Sequence, residues 1–153
     1  MKVKLTPSEL YLAASVGLMR QCTNLRDRKR NRFGAEPGQE WSIHIEGSCA
    51  EAAVAKALNT YWNGAIGHLK AKDVGVHQVR STPRDDGSLI LHKEDPDEDL
   101  FILVTGTAPN YELRGWIQCF EGKDQRFWRA DRPRPAFFVP QEDLHPLAAM
   151  GQS

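Results

Sequence analysis

The six residues Leu100-Phe101-Ile102-Leu103-Val104-Thr105 form a nearly continuous apolar run. Turn signals bound it, with Glu94-Asp95-Pro96-Asp97-Glu98 before and Gly106–Asn110 after. The run is far too short for a bilayer, which takes about 20 apolar residues. It lacks the alternation of a strand with one wet face. It therefore predicts a central strand covered on both sides, and the rest of the chain must supply the covering layers.

The flanking segments fit that demand. Thr6-Pro7-Ser8-Glu9 predicts a helix start, with Thr6 as N-cap, Pro7 in the first turn and Glu9 completing a capping box. Leu10, Ala13, Ala14, Gly17, Leu18 and Cys22 recur at helical spacing, so this helix is expected to run to about Arg32 and stop near Gly34. Residues 35–39 read as a loop. Trp41-Ser42-Ile43-His44-Ile45 alternates like a short strand or extended entry. Ser48 reads as an N-cap, and Ala50, Ala53, Val54, Ala57, Leu58 and Tyr61 predict an amphipathic helix over 49–62.

After residue 63 the pattern changes to period two and to turns. Strands are expected at 74–82, 88–92, 100–105, 111–119 and 136–139, with a short helix at 121–128 and a weak terminal helix at 142–150. Two helices, a mostly antiparallel sheet and a small mixed end make an α+β domain. The chain shows no repeat and no dividing linker, which predicts one domain over 1–153.

Composition narrows the function classes. Charged residues are 26% and hydrophobic residues 41%, as in globular rather than disordered chains. MKVKLTPSEL has no apolar core of a secretory signal. Cys22, Cys49 and Cys119 form no CxxC pair and no zinc spacing, so they read as reduced thiols in a cytoplasmic protein. Net charge is zero but unevenly spread. Residues 26–32, RDRKRNR, offer Arg26, Arg28, Lys29, Arg30 and Arg32 as phosphate contacts; the same basic residues also suit a helix C-terminus. Asp85, Asp86, Glu94, Asp95, Asp97, Glu98 and Asp99 read as solvated turn acids. A loop at 129–135 carries three arginines.

One constellation carries chemistry: Glu51 on the second helix, Asp73 ahead of a strand, and Gln78-Val79-Arg80 on that strand. Alternation places Gln78 and Arg80 on one face and His77, Val79 and Ser81 on the other. A plain amphipathic strand would bury Val79 and leave Gln78 and Arg80 wet. His44 with Glu46, and His68 with His77, are weaker candidates for a metal site. The late aromatics Trp116, Phe120, Phe127, Trp128, Phe137 and Phe138 read mainly as core.

The order Glu51, Asp73, Gln78-Val79-Arg80 resembles the PD-(D/E)XK nuclease superfamily, over about residues 45–140. The short step from Asp73 to the triplet is similar to that of MutH-type mismatch-repair endonucleases. The segments DVG, QVRST, ILVTG, RGWI and FFVP resemble small phage-encoded proteins associated with the same superfamily. The resemblance implies a restriction-endonuclease type fold, a mixed and largely antiparallel sheet flanked by helices. It implies a Mg²⁺- or Mn²⁺-dependent endonuclease acting on DNA, with Glu51, Asp73 and Gln78 on the metal and Arg80 on the phosphate. A homodimer would suit two cuts. The chain departs from the pattern at Lys72 (proline in the family), Gln78 (an acid) and Arg80 (lysine). Loss of charge at Gln78 weakens metal affinity, and Arg80 cannot serve as a base because it stays charged. Two rivals therefore stand beside the nuclease: a DNA-binding protein of the same fold with an inactive site, and a protein-interaction module.

Overall fold

The computed structural model describes residues 1–27, 38–66 and 72–150. Strand β1 (Lys2–Lys4) leads into α1 (Pro7–Arg26). The predicted start of α1 is observed: Thr6 accepts from the Glu9 N–H, and the Glu9 carboxylate accepts from the Thr6 N–H. The described part of the helix ends at Arg26 with Asp27 as C-cap. The expected extension to Arg32 lies outside the described residues.

Helix α2 spans Glu40–Ala57. This corrects three expectations: 41–45 is helical rather than extended, Ser48 lies inside the helix rather than at its cap, and the helix stops at Ala57 rather than near 62. The physical reason is tertiary. Residues 44–48 are the part of α2 that α1 approaches most closely. A Cβ on Gly17 would lie 2.5 Å from the His44 carbonyl oxygen and 2.6 Å from Ser48 Oγ. The Ser48 hydroxyl donates across to the Ala13 carbonyl at 2.7 Å. Helix packing outweighs a five-residue alternation.

Strand β2 (His77–Thr82) is parallel to β4 (Leu100–Thr107), which pairs antiparallel with β5 (Asn110–Gln118); β5 in turn pairs with β1. The order β1-β5-β4-β2 makes a mixed sheet with β2 at an open edge. A second, antiparallel sheet has the order β3-β7-β6, from β3 (Leu89–Leu91), β7 (Ala136–Val139) and β6 (Trp128–Arg129). The expected 121–128 helix is replaced by α3 (Cys119–Gly122) and a 3₁₀ turn at Gln125–Phe127. The terminal segment forms two 3₁₀ turns, Gln141–Asp143 and Leu147–Ala149.

The fold is α+β, and the doubly covered strand is β4. Ile102 and Val104 pack toward the helices with Ala50, Ala53 and Val54. Phe101 and Leu103 pack toward the second sheet with Leu89, Leu91, Phe137 and Val139. A bulge holds both faces of β5 in step. Leu103 lies opposite Gly115 and Val104 opposite Leu113, so Arg114 is an extra residue. Tyr111 and Leu113 thus face the helices while Ile117 faces the second sheet.

Candidate nucleic-acid interface

The structure brings together two of the four constellation residues. Glu51 is buried on α2, and its two carboxylate oxygens accept from Arg20 of α1 at 2.6 and 2.8 Å. The Trp62 indole N–H donates to the same carboxylate at 3.0 Å, and Arg20 Nε donates to the Ala65 carbonyl. Asp73 stands at a tight turn in which Gly75 takes the left-handed conformation (φ 58°). Its carboxylate accepts from the Val79 N–H at 2.7 Å. Burial and the neighbouring Glu51 charge push the Asp73 carboxyl up to about 6, against the pull of the Val79 N–H, Arg80 and Arg20.

Gln78 and Arg80 project from the other face of β2, beside Phe101 and Leu103 rather than toward α2. Gln78 Nε2 donates to Asp99, which also pairs with Lys72 and is 2% exposed. Arg80 binds both oxygens of Asp95 at 2.9 and 3.0 Å, donates to the Ile90 carbonyl, and lies 4.9 Å from the Phe101 ring centre. Lys123 pairs with Asp97 at 2.7 Å. Several of the turn acids expected to be solvated are thus structural anchors, because they meet the cations that β2 and α3 present.

This arrangement does not fit a Mg²⁺ ion. Such an ion takes near-octahedral oxygen ligands. Here Glu51 is saturated by three donors, Asp73 is committed to a backbone N–H, and Gln78 is across the sheet. Among the described residues no three His, Cys, Asp or Glu side chains group as metal ligands. His44 bonds Asn24 at 3.0 Å while Glu46 accepts from Tyr111 at 2.9 Å, so that pair does not converge. His77 Nδ1 is buried without a hydrogen-bond partner. Arg26 is exposed and pairs with Asp27 at 2.9 Å. Arg28, Lys29, Arg30, Arg32 and His68 lie outside the described residues.

The larger feature is a cleft of about 710 Å³ along the open edge of β2. Val79–Thr82 and the turn that follows them form one wall and Ile43 and Gly47 of α2 another, with Ile90, Phe138 and Arg132–Arg134 also in the lining. Four arginines line it, Arg80, Arg84, Arg132 and Arg134; Arg80 is held by Asp95, and Arg84 donates through Nε and Nη2 to Asp86, the one acid of the lining, at 3.1 Å each. Arg132 lies 5.4 Å from the Phe138 ring centre. His92, also in the lining, is held below the usual histidine value by burial and by the Arg134 charge, with Arg80 adding to it and Asp95 and Glu94 opposing. The Val79 N–H points away from β4, toward Asp73, and alternation turns the backbone of exposed Ser81 the same way. Sequence reasoning noted the arginine-rich loop at 129–135 but had no signal that it meets Arg84 and the β2 edge.

No helix among the described residues is long and apolar enough to cross a membrane. The three cysteines are free thiols, Cys22 exposed and Cys49 and Cys119 buried. No known protein family, curated protein or solved structure matches the chain.

Proposed function

We propose that the protein binds DNA through its phosphate backbone, in the cleft beside β2. The observation that carries this reading is the concentration of Arg80, Arg84, Arg132 and Arg134 around one groove of a chain with no net charge. Arginine forks match phosphate oxygens, and release of counterions drives such binding without base recognition. Apolar surface from Ile43, Ile90 and Phe138 lies within the same groove and suits sugars or bases. The binding needs no metal.

A second reading, DNA cleavage with Mg²⁺ or Mn²⁺, is favoured by one observation. Two buried carboxylates, Glu51 and Asp73, stand close enough for the Glu51 charge to disfavour ionisation of Asp73. That pattern accompanies catalytic sites as well as structural ones. It requires Arg20 to leave Glu51. Incubation of supercoiled and linear DNA with the protein in EDTA, Mg²⁺ or Mn²⁺, beside Asp73→Ala, separates the two. The binding reading expects a gel shift in EDTA and intact DNA in every lane. Metal-dependent cuts that vanish in Asp73→Ala would replace it with the nuclease. Absence of any shift at low salt, with DNA intact in every metal, would remove both.

A further inference from the structure

The second sheet is apolar on its outer face as well as its inner one. Phe137 and Val139 of β7, with Leu89 and Leu91 of β3, pack into the core, so alternation turns Phe138 and Ile90 outward. The two stand directly opposite each other in the antiparallel pair and share that outer face. Both line the cleft beside β2, where Ile43 of α2 adds further apolar surface. Arg132, 5.4 Å from the Phe138 ring centre, lays a guanidinium over the same patch. Arg84 lines the cleft too, and its pair with Asp86 lies in solvent, so a phosphate can compete for it.

These two linings take different parts of a nucleic acid. Arginines take phosphates, and an aromatic, apolar patch takes the faces of bases. A double helix offers only the phosphates, because its base faces are stacked inside it. We propose that the DNA held in this cleft is single-stranded, with a base stacked on Phe138 and Arg132 and its phosphates on Arg84 and the neighbouring arginines. The inference rests on the reading of the cleft as a DNA site and narrows it to unpaired strands. The size agrees: about 710 Å³ is the volume of a site for a drug-sized molecule, and it has room for individual nucleotides rather than for the body of a duplex. A peptide strand is a poorer fit to the β2 edge. The outward N–H groups of His77 and Val79 are already taken, by the Val74 carbonyl at 2.9 Å and by Asp73 at 2.7 Å.

Fluorescence anisotropy in EDTA at low salt tests this with three labelled ligands of equal phosphate number: a dT strand of about 12 nucleotides, the abasic strand of the same length, and a hairpin duplex. Charge alone favours the duplex, which carries one charge per about 1.7 Å of its axis. Stacking reverses that order. The dT strand is expected to bind more tightly than the duplex and at least about 10-fold more tightly than the abasic strand. Phe138→Leu keeps an apolar side chain and removes the aromatic face. It is expected to weaken dT binding about 10-fold and to leave abasic binding unchanged, whereas a structural defect would weaken both. The three-ligand comparison is made on the wild type, so it stands even if Phe138→Leu does not fold. A duplex or abasic strand bound as tightly as dT overturns the inference and leaves the phosphate-binding cleft in place. A preference for dT that survives Phe138→Leu puts the stacked base elsewhere and overturns it as well. No binding of any of the three overturns this inference and the DNA reading together.

Discussion

Glu51 and Asp73 compete for one cation, Arg20, and geometry decides between them. The Arg20 guanidinium spends its forked donors on Glu51, so Asp73 is left with a single backbone donor and a repelling neighbour. The folded state therefore holds the Asp73 proton more tightly than the unfolded chain does. For an acid raised in this way, the cost to folding is absent below the ordinary carboxylate value, grows as pH rises from there, and is complete above about 6. Asp73→Asn keeps an oxygen for the Val79 N–H and removes that cost. Urea midpoints are expected to match the wild type at about pH 4, with the variant gaining on the order of 2 kcal/mol by pH 7. Equal stability across the range would mean that Asp73 is paired more fully than its contacts indicate. The family resemblance placed Glu51 and Asp73 in one site. It could not show Arg20, which lies 31 residues before Glu51 and is brought to it only by the pairing of the two helices.

The contact between α1 and α2 is built on an absence of side chain. Gly17 lets the His44–Ser48 backbone approach to where a Cβ would collide with main-chain atoms, which cannot rotate away. Gly17→Ala gains helix propensity worth about 1 kcal/mol, but overpacking at a rigid crossing costs more, typically 1–3 kcal/mol and occasionally beyond. A net loss of about 2 kcal/mol is expected in urea unfolding, with a rise in stability as the contrary result. The same crossing explains why 41–45 misled: a five-residue alternation also fits a helix, and only the partner helix decides between them. The run at 100–105 was legible because burial on two faces leaves its mark in the sequence itself. Strand β2 was legible as a strand but not as an edge. Consequently Gln78 and Arg80 were expected to join Glu51, whereas the sheet stands between them and the helix.

At the scale of the molecule, two apolar cores lie on the two faces of one mixed sheet, and ion pairs stand around them. The turn acids near Asp95–Asp99 anchor Lys72, Arg80 and Lys123. Arg84, Arg132 and Arg134 line the cleft at the open edge of β2. A net charge of zero does not tell which charges meet, and only the fold reveals it. Arg84 and Arg132 are exposed members of the cleft and belong to neither apolar core, so their replacement is expected to leave folding intact. The most direct test is the salt dependence of DNA binding, followed by fluorescence anisotropy in EDTA, for the wild type and for Arg84→Ala with Arg132→Ala. If the cleft grips phosphates, the double variant binds at least about 10-fold more weakly at low salt, and its log–log salt slope is shallower by about 2, one for each lost contact. An unchanged slope and affinity in the double variant would place the DNA elsewhere on the molecule and contradict the account.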